Sequence, residues 1–166
     1  MEVLVSDTSV IIDLDRGGLL DHLFGLPYDF CVPDLLYKKE LAGDLGDRLR
    51  ALGLTVVELT SDELMRATAL RRQVKVLSTP DTFAFSLAEA RRWTLLTGDG
   101  ALRDLCVEQG VEMHGVLWVI SELYRTSVAD AAVLRGALTT IHAHPRCRLP
   151  RGEVRRLLSA LGPGTR

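Results

Sequence analysis

The chain has no apolar stretch long enough to cross a bilayer, and no basic segment leads into a signal-peptide core at its N-terminus. Those two gaps argue against a spanning helix and make the cytoplasm the expected compartment. Cysteine is scarce. Cys31, Cys106 and Cys147 are odd in number and far apart, so they read as free thiols of a reducing compartment, not as a disulfide framework or a zinc site. Three catalytic motifs are missing as well: the Gly-x-x-x-x-Gly-Lys-Ser/Thr loop, the Gly-x-Ser-x-Gly elbow and Gly-x-Gly-x-x-Gly. Their absence argues against nucleoside triphosphatase, hydrolase-elbow and dinucleotide-binding readings. His142 and His144 have no His or Cys partner at zinc spacing, and read as loop surface. A dehalogenase-like phosphatase would want a second Asp two residues after Asp7, where Ser9 stands.

No charge of one sign dominates. The formal net charge is −2, so the protein as a whole does not advertise a polyanionic partner. The charge is nevertheless unevenly placed. From Arg146 to Arg166 there are six arginines (146, 148, 151, 155, 156 and 166) against Glu153 alone, a net of +5 that leaves −7 for residues 1–145. The basic end suits contact with RNA phosphates or an acidic partner, or equally a solvated helix face. Its apolar stripe of Val154, Leu157, Leu158 and Leu161 is expected to dock on the body and leave the guanidinium groups free. With 47% apolar residues over 166 positions, one globular domain spanning 1–166 can bury a substantial core.

Strand and helix patterns alternate. Residues 2–6 read as a buried strand and about 9–24 as helix, interrupted at Gly17-Gly18. A short strand at 29–32 stops at Pro33, which is placed at the first position of a helix over 34–41. A polar helix over about 43–52 leads to a strand at 55–59. Thr60 and Glu63 then make a capping-box pattern that opens a helix of about 61–75. Thr79-Pro80 supplies an N-cap and first-turn proline for the next helix. A strand at 93–97, a helix at 101–109 ended by Gly110, and a strand at 111–113 follow. Two or three helices fill 116–160, broken at residues 144–150. The alternation predicts an α/β fold, a three-layer α/β/α sandwich around a mostly parallel sheet.

Asp7 and Asp99 follow strand-like segments, and Asp81 heads a helix-like one. An α/β fold gathers such groups in one crevice at the C-terminal ends of its strands. Like charges brought together repel unless a cation holds them, so the trio predicts a divalent-metal site. Each acid also has an ordinary structural use: Asp7 as an N-cap, Asp81 against a helix dipole, and Asp99-Gly100 as a turn. Asp13 and Asp15 read as solvated charge, and His114 before Gly115 as structural.

Taken together, Val5-Ser-Asp-Thr-Ser-Val-Ile-Ile12, Val32-Pro-Asp-Leu-Leu-Tyr-Lys-Lys-Glu-Leu41, Leu77-Ser-Thr-Pro-Asp81, Leu95-Leu-Thr-Gly-Asp-Gly-Ala-Leu-Arg103 and Gly110-Val-Glu-Met-His-Gly-Val-Leu117 resemble the PIN domain, and more closely the VapC-type ribonuclease toxins of toxin–antitoxin modules. Their order and spacing cover most of the first 120 residues. The resemblance implies an acidic quartet at Asp7, Glu40, Asp81 and Asp99, RNA as substrate, a homodimer, and an antitoxin whose tail enters the acidic crevice. Two departures leave the last position open. An additional acid, common in the family before the final Asp, is absent from Thr97-Gly-Asp99, and Asp104 lies a turn beyond.

Carboxylate oxygens are hard ligands suited to Mg²⁺ or Mn²⁺. Such an ion activates water near neutral pH, and two ions ~4 Å apart can stabilise both oxygens of an in-line displacement. Asp7 is the candidate central ligand, with Asp81 and Asp99 binding directly or through water, and Glu40 orienting the attacking water. The hydroxyls of Thr8, Ser9 and Thr97 suit ligand positioning or phosphate contact, and Arg103 suits a phosphate or pairing with Asp99 or Asp104. The expected activity is that of a metal-dependent endoribonuclease. The alternatives are a non-catalytic module binding RNA or protein, and a nuclease of DNA or of RNA maturation.

Overall fold

The computed structural model describes residues 1–162; Arg166, counted above in the basic end, lies outside the described residues. Five short strands, β1 (Glu2–Ser6), β2 (Tyr28–Pro33), β3 (Thr55–Val57), β4 (Thr94–Leu96) and β5 (Met113–His114), form one sheet in the order β3-β2-β1-β4-β5. Every pairing is parallel. The register sets Val5 opposite Cys31 on one side and Leu95 on the other. A parallel sheet is covered on both faces, which is why Leu4, Val5, Val32, Leu95 and Leu96 are all fully buried and the strands read as continuous apolar runs.

The strand order reverses at β1. From there the chain builds outward through β2 and β3, then returns to the other side for β4 and β5. The loops leaving β1 and β4 therefore diverge to open a crevice at the C-terminal ends of these two neighbours, where ligands of open α/β sheets bind.

Helix α1 (Thr8–Arg16) and the short α2 (Leu20–Leu23) follow β1. After β2 come α3 (Asp34–Leu36), a π-helical turn over Tyr37–Leu41, and α4 (Asp44–Leu52). The helices α5 (Ser61–Gln73) and α6 (Thr79–Arg91) precede β4, and α7 (Gly100–Gln109) links β4 to β5. The chain ends in α8 (Val116–Arg125), α9 (Ala131–Ala143) and α10 (Arg151–Ala160).

α6 is the central helix of one layer. It lies along β1, β2 and β4 while α5 packs on its back. Enclosed on two sides, it buries Pro80, Thr82, Ala84, Phe85, Ser86, Leu87 and Ala88. Its small residues let α5 approach closely enough for Ser86 Oγ to donate to the Glu63 carbonyl at 2.6 Å. Two bidentate pairs, Arg91 with Glu63 and Arg66 with Glu89, bridge the same helices at their edge. In the second layer α1 packs on α8 and α9, and α10 packs on both α8 and α9. The expected stripe docks there. Val154 and Leu161 are buried, Leu157 and Leu158 partly so, and Arg135 of α9 donates to the Leu158 and Gly162 carbonyls at the end of α10.

Several boundaries differ from the sequence expectation for identifiable reasons. Pro33 closes β2 with extended backbone (φ −63°, ψ 147°) rather than opening the helix. The helix after it changes pitch: the Ala42 N–H reaches the Tyr37 carbonyl five residues back, at 2.8 Å. Gly46 packs against the Tyr37 ring and hydroxyl here, at a distance no side chain would allow. The cap of α6 is Ser78, not Thr79, because its hydroxyl accepts from the Asp81 N–H while Asp81 accepts from the Ser78 N–H. Thr60 and Glu63 form the anticipated capping box. His142 is not loop surface. It lies on α9, half-buried, with a buried Nδ1 that has no partner among the described residues.

Candidate metal centre and active site

Asp7 sits at the crevice mouth, directly after β1, and is 2% exposed. It caps α1 by accepting from the Val10 N–H at 3.1 Å. Two hydroxyls complete its surroundings: Ser9 Oγ donates to Oδ1 at 2.8 Å and Thr97 Oγ1 donates to Oδ2. Each hydroxyl also accepts from the loop after β4. The Gly98 N–H donates to Ser9 and the Asp99 N–H to Thr97. A pair of N–H→O–H→carboxylate relays thus converges on the two oxygens of one Asp. Among the described residues no arginine or lysine stands within salt-bridge distance of it.

Burial without a counter-cation has the expected electrostatic result. Desolvation pushes the Asp7 pKa up to about 6, against the pull of the Thr97, Val10 and Ser9 hydrogen bonds, with a smaller push from the charge of Asp81.

Asp99 caps α7 by accepting from the Leu102 N–H through Oδ1, at 2.9 Å. Asp81 occupies the third position of α6 and uses Oδ2 in its capping box. Both are half-buried, and each leaves its second oxygen without a protein partner among the described residues. The ordinary structural uses of all three acids are therefore real. Capping fixes where each carboxylate stands and leaves room for a second role. The three helices α1, α6 and α7 also turn their positive N-terminal ends toward this crevice, a setting that favours an anionic phosphate.

The donor set fits a hard divalent cation. It offers an uncompensated buried carboxylate, two part-free carboxylates, and Thr8 Oγ1, which is buried beside Asp7 with no partner among the described residues. Among the described residues no three acid, His or Cys side chains are close enough to cage an ion. An ion held here would keep most of its shell as water, which is how Mg²⁺ is commonly bound.

The other predicted residues divide. Glu40 is exposed on the π-helical turn after β2, and no contact joins it to Asp7, Asp81 or Asp99. Asp104 and Arg103 are exposed on α7, where Arg103 has no carboxylate partner among the described residues; its guanidinium lies about 3.7 Å from where a side chain on Gly115 would begin. In the basic end, Arg146 and Arg148 line a pocket of about 630 Å³ that opens onto Ser9 and Asp99, while Arg151, Arg155 and Arg156 are exposed outside it.

Sequence reasoning missed three features here. Asp13 is not simply solvated. It is half-buried on the same pocket, with its pKa raised by burial against the pull of Arg16 at 3.5 Å. His114 is stacked flat on Trp118, at 4.1 Å between ring centres and 6° between planes. Asp34 is half-buried at the end of β2, beside β1 in the sheet, and accepts from the Leu35 N–H. A Pro-Asp pair at a strand end was the available signal for Asp34. No local signal marked the other two.

A family description of the PIN domain matches residues 3–163, nearly the whole chain. The chain belongs to the PIN-domain family. No curated protein matches it. Membership fits the all-parallel α/β/α sandwich and the crevice at the sheet's reversal point, and the PIN fold is a nuclease fold. No helix among the described residues is long and apolar enough to cross a membrane.

Proposed function

We propose that this PIN-domain protein is a Mg²⁺- or Mn²⁺-dependent endoribonuclease and the toxin of a toxin–antitoxin pair, acting in the cytoplasm as a homodimer. The observation that carries the catalytic part is the buried Asp7 at the β1/β4 reversal point, with no arginine or lysine beside it among the described residues and linked through the Thr97 hydroxyl to the Asp99 amide. Among neutral donors alone, such a carboxylate is an unfavourable arrangement that a divalent ion relieves. A divalent ion, when bound, activates water and offsets charge growing on the phosphoryl oxygens.

The protein's own groups have separable tasks in this reading. Asp7 would be the central ligand, and Asp81 and Asp99, each with one oxygen left over from capping, would hold the ion directly or through water. Ser9 and Thr97 hold Asp7 in one orientation. The motif resemblance gives Glu40 the task of orienting the attacking water, although its exposed turn makes no contact with the three aspartates. Asp104 and Arg103 flank the scissile phosphate. The toxin assignment rests on the resemblance of the sequence motifs to VapC-type proteins, and an antitoxin segment would compete with RNA for the crevice.

The test is cleavage of single-stranded RNA with Mn²⁺ or Mg²⁺ and after chelation. Products ending in 5′-phosphate and 3′-hydroxyl are expected, because no His pair is placed to drive attack by the 2′-hydroxyl. A 2′,3′-cyclic phosphate, or activity that survives EDTA, would overturn the metal reading. Binding of RNA without cleavage under any metal condition would assign the protein to the non-catalytic modules.

A further inference from the structure

The pocket beside the acidic crevice is built from segments far apart in sequence. Arg16 comes from α1, Arg103 from α7, His114 and Trp118 from the β5–α8 corner, and Arg146 and Arg148 from the segment between α9 and α10. That last segment is a fixed wall. The His144 carbonyl accepts from the Cys147 N–H at 2.9 Å, and His144 Nδ1 accepts from the Arg146 N–H at 3.1 Å. Its volume of about 630 Å³ lies within the range of small-molecule sites, roughly 300–1,000 Å³.

Its chemistry is selective. Arg103, Arg146 and Arg148 have no carboxylate partner among the described residues, whereas Arg16 is engaged by Asp13. Guanidinium groups without partners on a concave surface suit phosphate oxygens, which they grip in bidentate fashion. The stacked His114–Trp118 pair adds a flat aromatic wall of the kind on which unpaired bases rest. The pocket also shares Ser9 and Asp99 with the crevice, so it lies directly beside a strand bound there. An acidic peptide would meet the guanidiniums equally well. It would leave the aromatic wall unused.

We propose that this pocket is a nucleotide subsite: it takes one unpaired nucleotide next to the scissile phosphate, base against His114–Trp118 and phosphate on Arg103, Arg146 and Arg148. The proposal rests on the nuclease reading and adds the groups that select the substrate. It extends the PIN crevice with a wall made by the C-terminal segment.

Trp118 itself is the reporter. In the Trp93→Phe protein it is the sole tryptophan, so its fluorescence can be titrated with each 5′-nucleoside monophosphate, and with inorganic phosphate, in EDTA. Saturable quenching by a mononucleotide is expected. It should weaken at least tenfold in Arg146→Ala/Arg148→Ala and stay unchanged in Arg155→Ala/Arg156→Ala. Calorimetry on the unsubstituted chain repeats the measurement without the Trp93 change. No saturable mononucleotide binding by either method would overturn the subsite, as would identical affinities in the two double variants. Binding of an acidic peptide in place of nucleotides would overturn it too. The readout needs neither metal nor turnover. Nucleotide binding without RNA cleavage would defeat the nuclease reading and leave the subsite; cleavage without nucleotide binding would do the reverse.

Discussion

Two adjoining hollows share Ser9 and Asp99, and they are made in opposite ways. The acidic crevice is local. Asp7, Asp81 and Asp99 each stand in the first turn or cap of their own helix, held by an N–H three residues away. The basic pocket is assembled at long range, from α1, the β4–α7 loop, α8 and the segment before α10. The crevice holds negative charge out of water and waits for a cation, while the pocket carries positive charge and an aromatic wall. In a site of the first kind each carboxylate is aimed by its own helix start, and the pairing of β1 with β4 then brings them together. One of the second kind exists only when the second layer has packed.

The sharpest way to break the contrast is to remove the charge of the crevice. Asp7→Asn should lower metal-dependent cleavage more than about a hundredfold, beyond the 10- to 100-fold range typical of groups that only orient ligands. Unchanged Mn²⁺ affinity in this variant by calorimetry would sink the assignment.

Thr97→Val comes next. It keeps the shape and removes a hydroxyl that serves both sides of the crevice, so a loss of about 10- to 100-fold is expected. Because the Thr97 bond holds the pKa of metal-free Asp7 down, its loss should also move the acid limb of the pH profile of Mn²⁺ binding upward. A profile that stays in place would place Thr97 outside the machinery.

The same buried charge has a cost in stability, and its sign is set by linkage. Asp7 binds its proton more tightly folded, at about 6, than at its ordinary 3.8. Its ionisation therefore costs nothing below pH 3.8, costs progressively more as pH rises toward 6, and is at its full value above that. The shift corresponds to about 3 kcal/mol at most. Asn cannot accept the Thr97 hydrogen bond through its amide nitrogen, so a net gain of about 1–2 kcal/mol for metal-free Asp7→Asn is expected at pH 7. Thermal unfolding from pH 4 to 8 should show the gain vanishing at the acid end. A gain constant across that range would mean that repulsion and burial of the charge are not its source.

The smallest effect belongs to the arginines outside both hollows. Arg155→Ala/Arg156→Ala should weaken binding of long single-stranded RNA about threefold at moderate salt and flatten its salt dependence by up to about 1.4 in slope, with Mn²⁺ affinity unchanged. An unchanged slope with lost antitoxin binding would assign that face to the protein partner. No change in either would make it a solvated helix face.

What could be read from the sequence follows the same division. The parallel sandwich was legible because strands buried on both faces carry uninterrupted apolar runs and alternate with helices, as in residues 3–5 and 95–96. Asp7, Asp81 and Asp99 were legible because a capping acid is a short-range signal. The π-helical turn carrying Glu40 was not, since an apolar pattern of that length reads equally well as an ordinary α-helix. Nor could the sequence divide the basic end. Arg146 and Arg148 differ from Arg155 and Arg156 only in where the docking of α10 leaves them.

The two hydroxyl relays onto Asp7 carry a direction as well as a geometry. Ser9 and Thr97 each spend their one proton on the carboxylate, so their lone pairs are turned toward the Gly98 and Asp99 amides. Chains oriented this way polarise one another, and their common sink is a single negative charge. Adding a proton to Asp7 near pH 6 removes that sink, and the peptide links of Gly98 and Asp99, some ninety residues away in sequence, should register the event in their amide chemical shifts. The loop after β4 is thus wired to the titration of a residue on another strand. It would sense whether the charge on Asp7 is neutralised by a proton or by an ion before any RNA arrives.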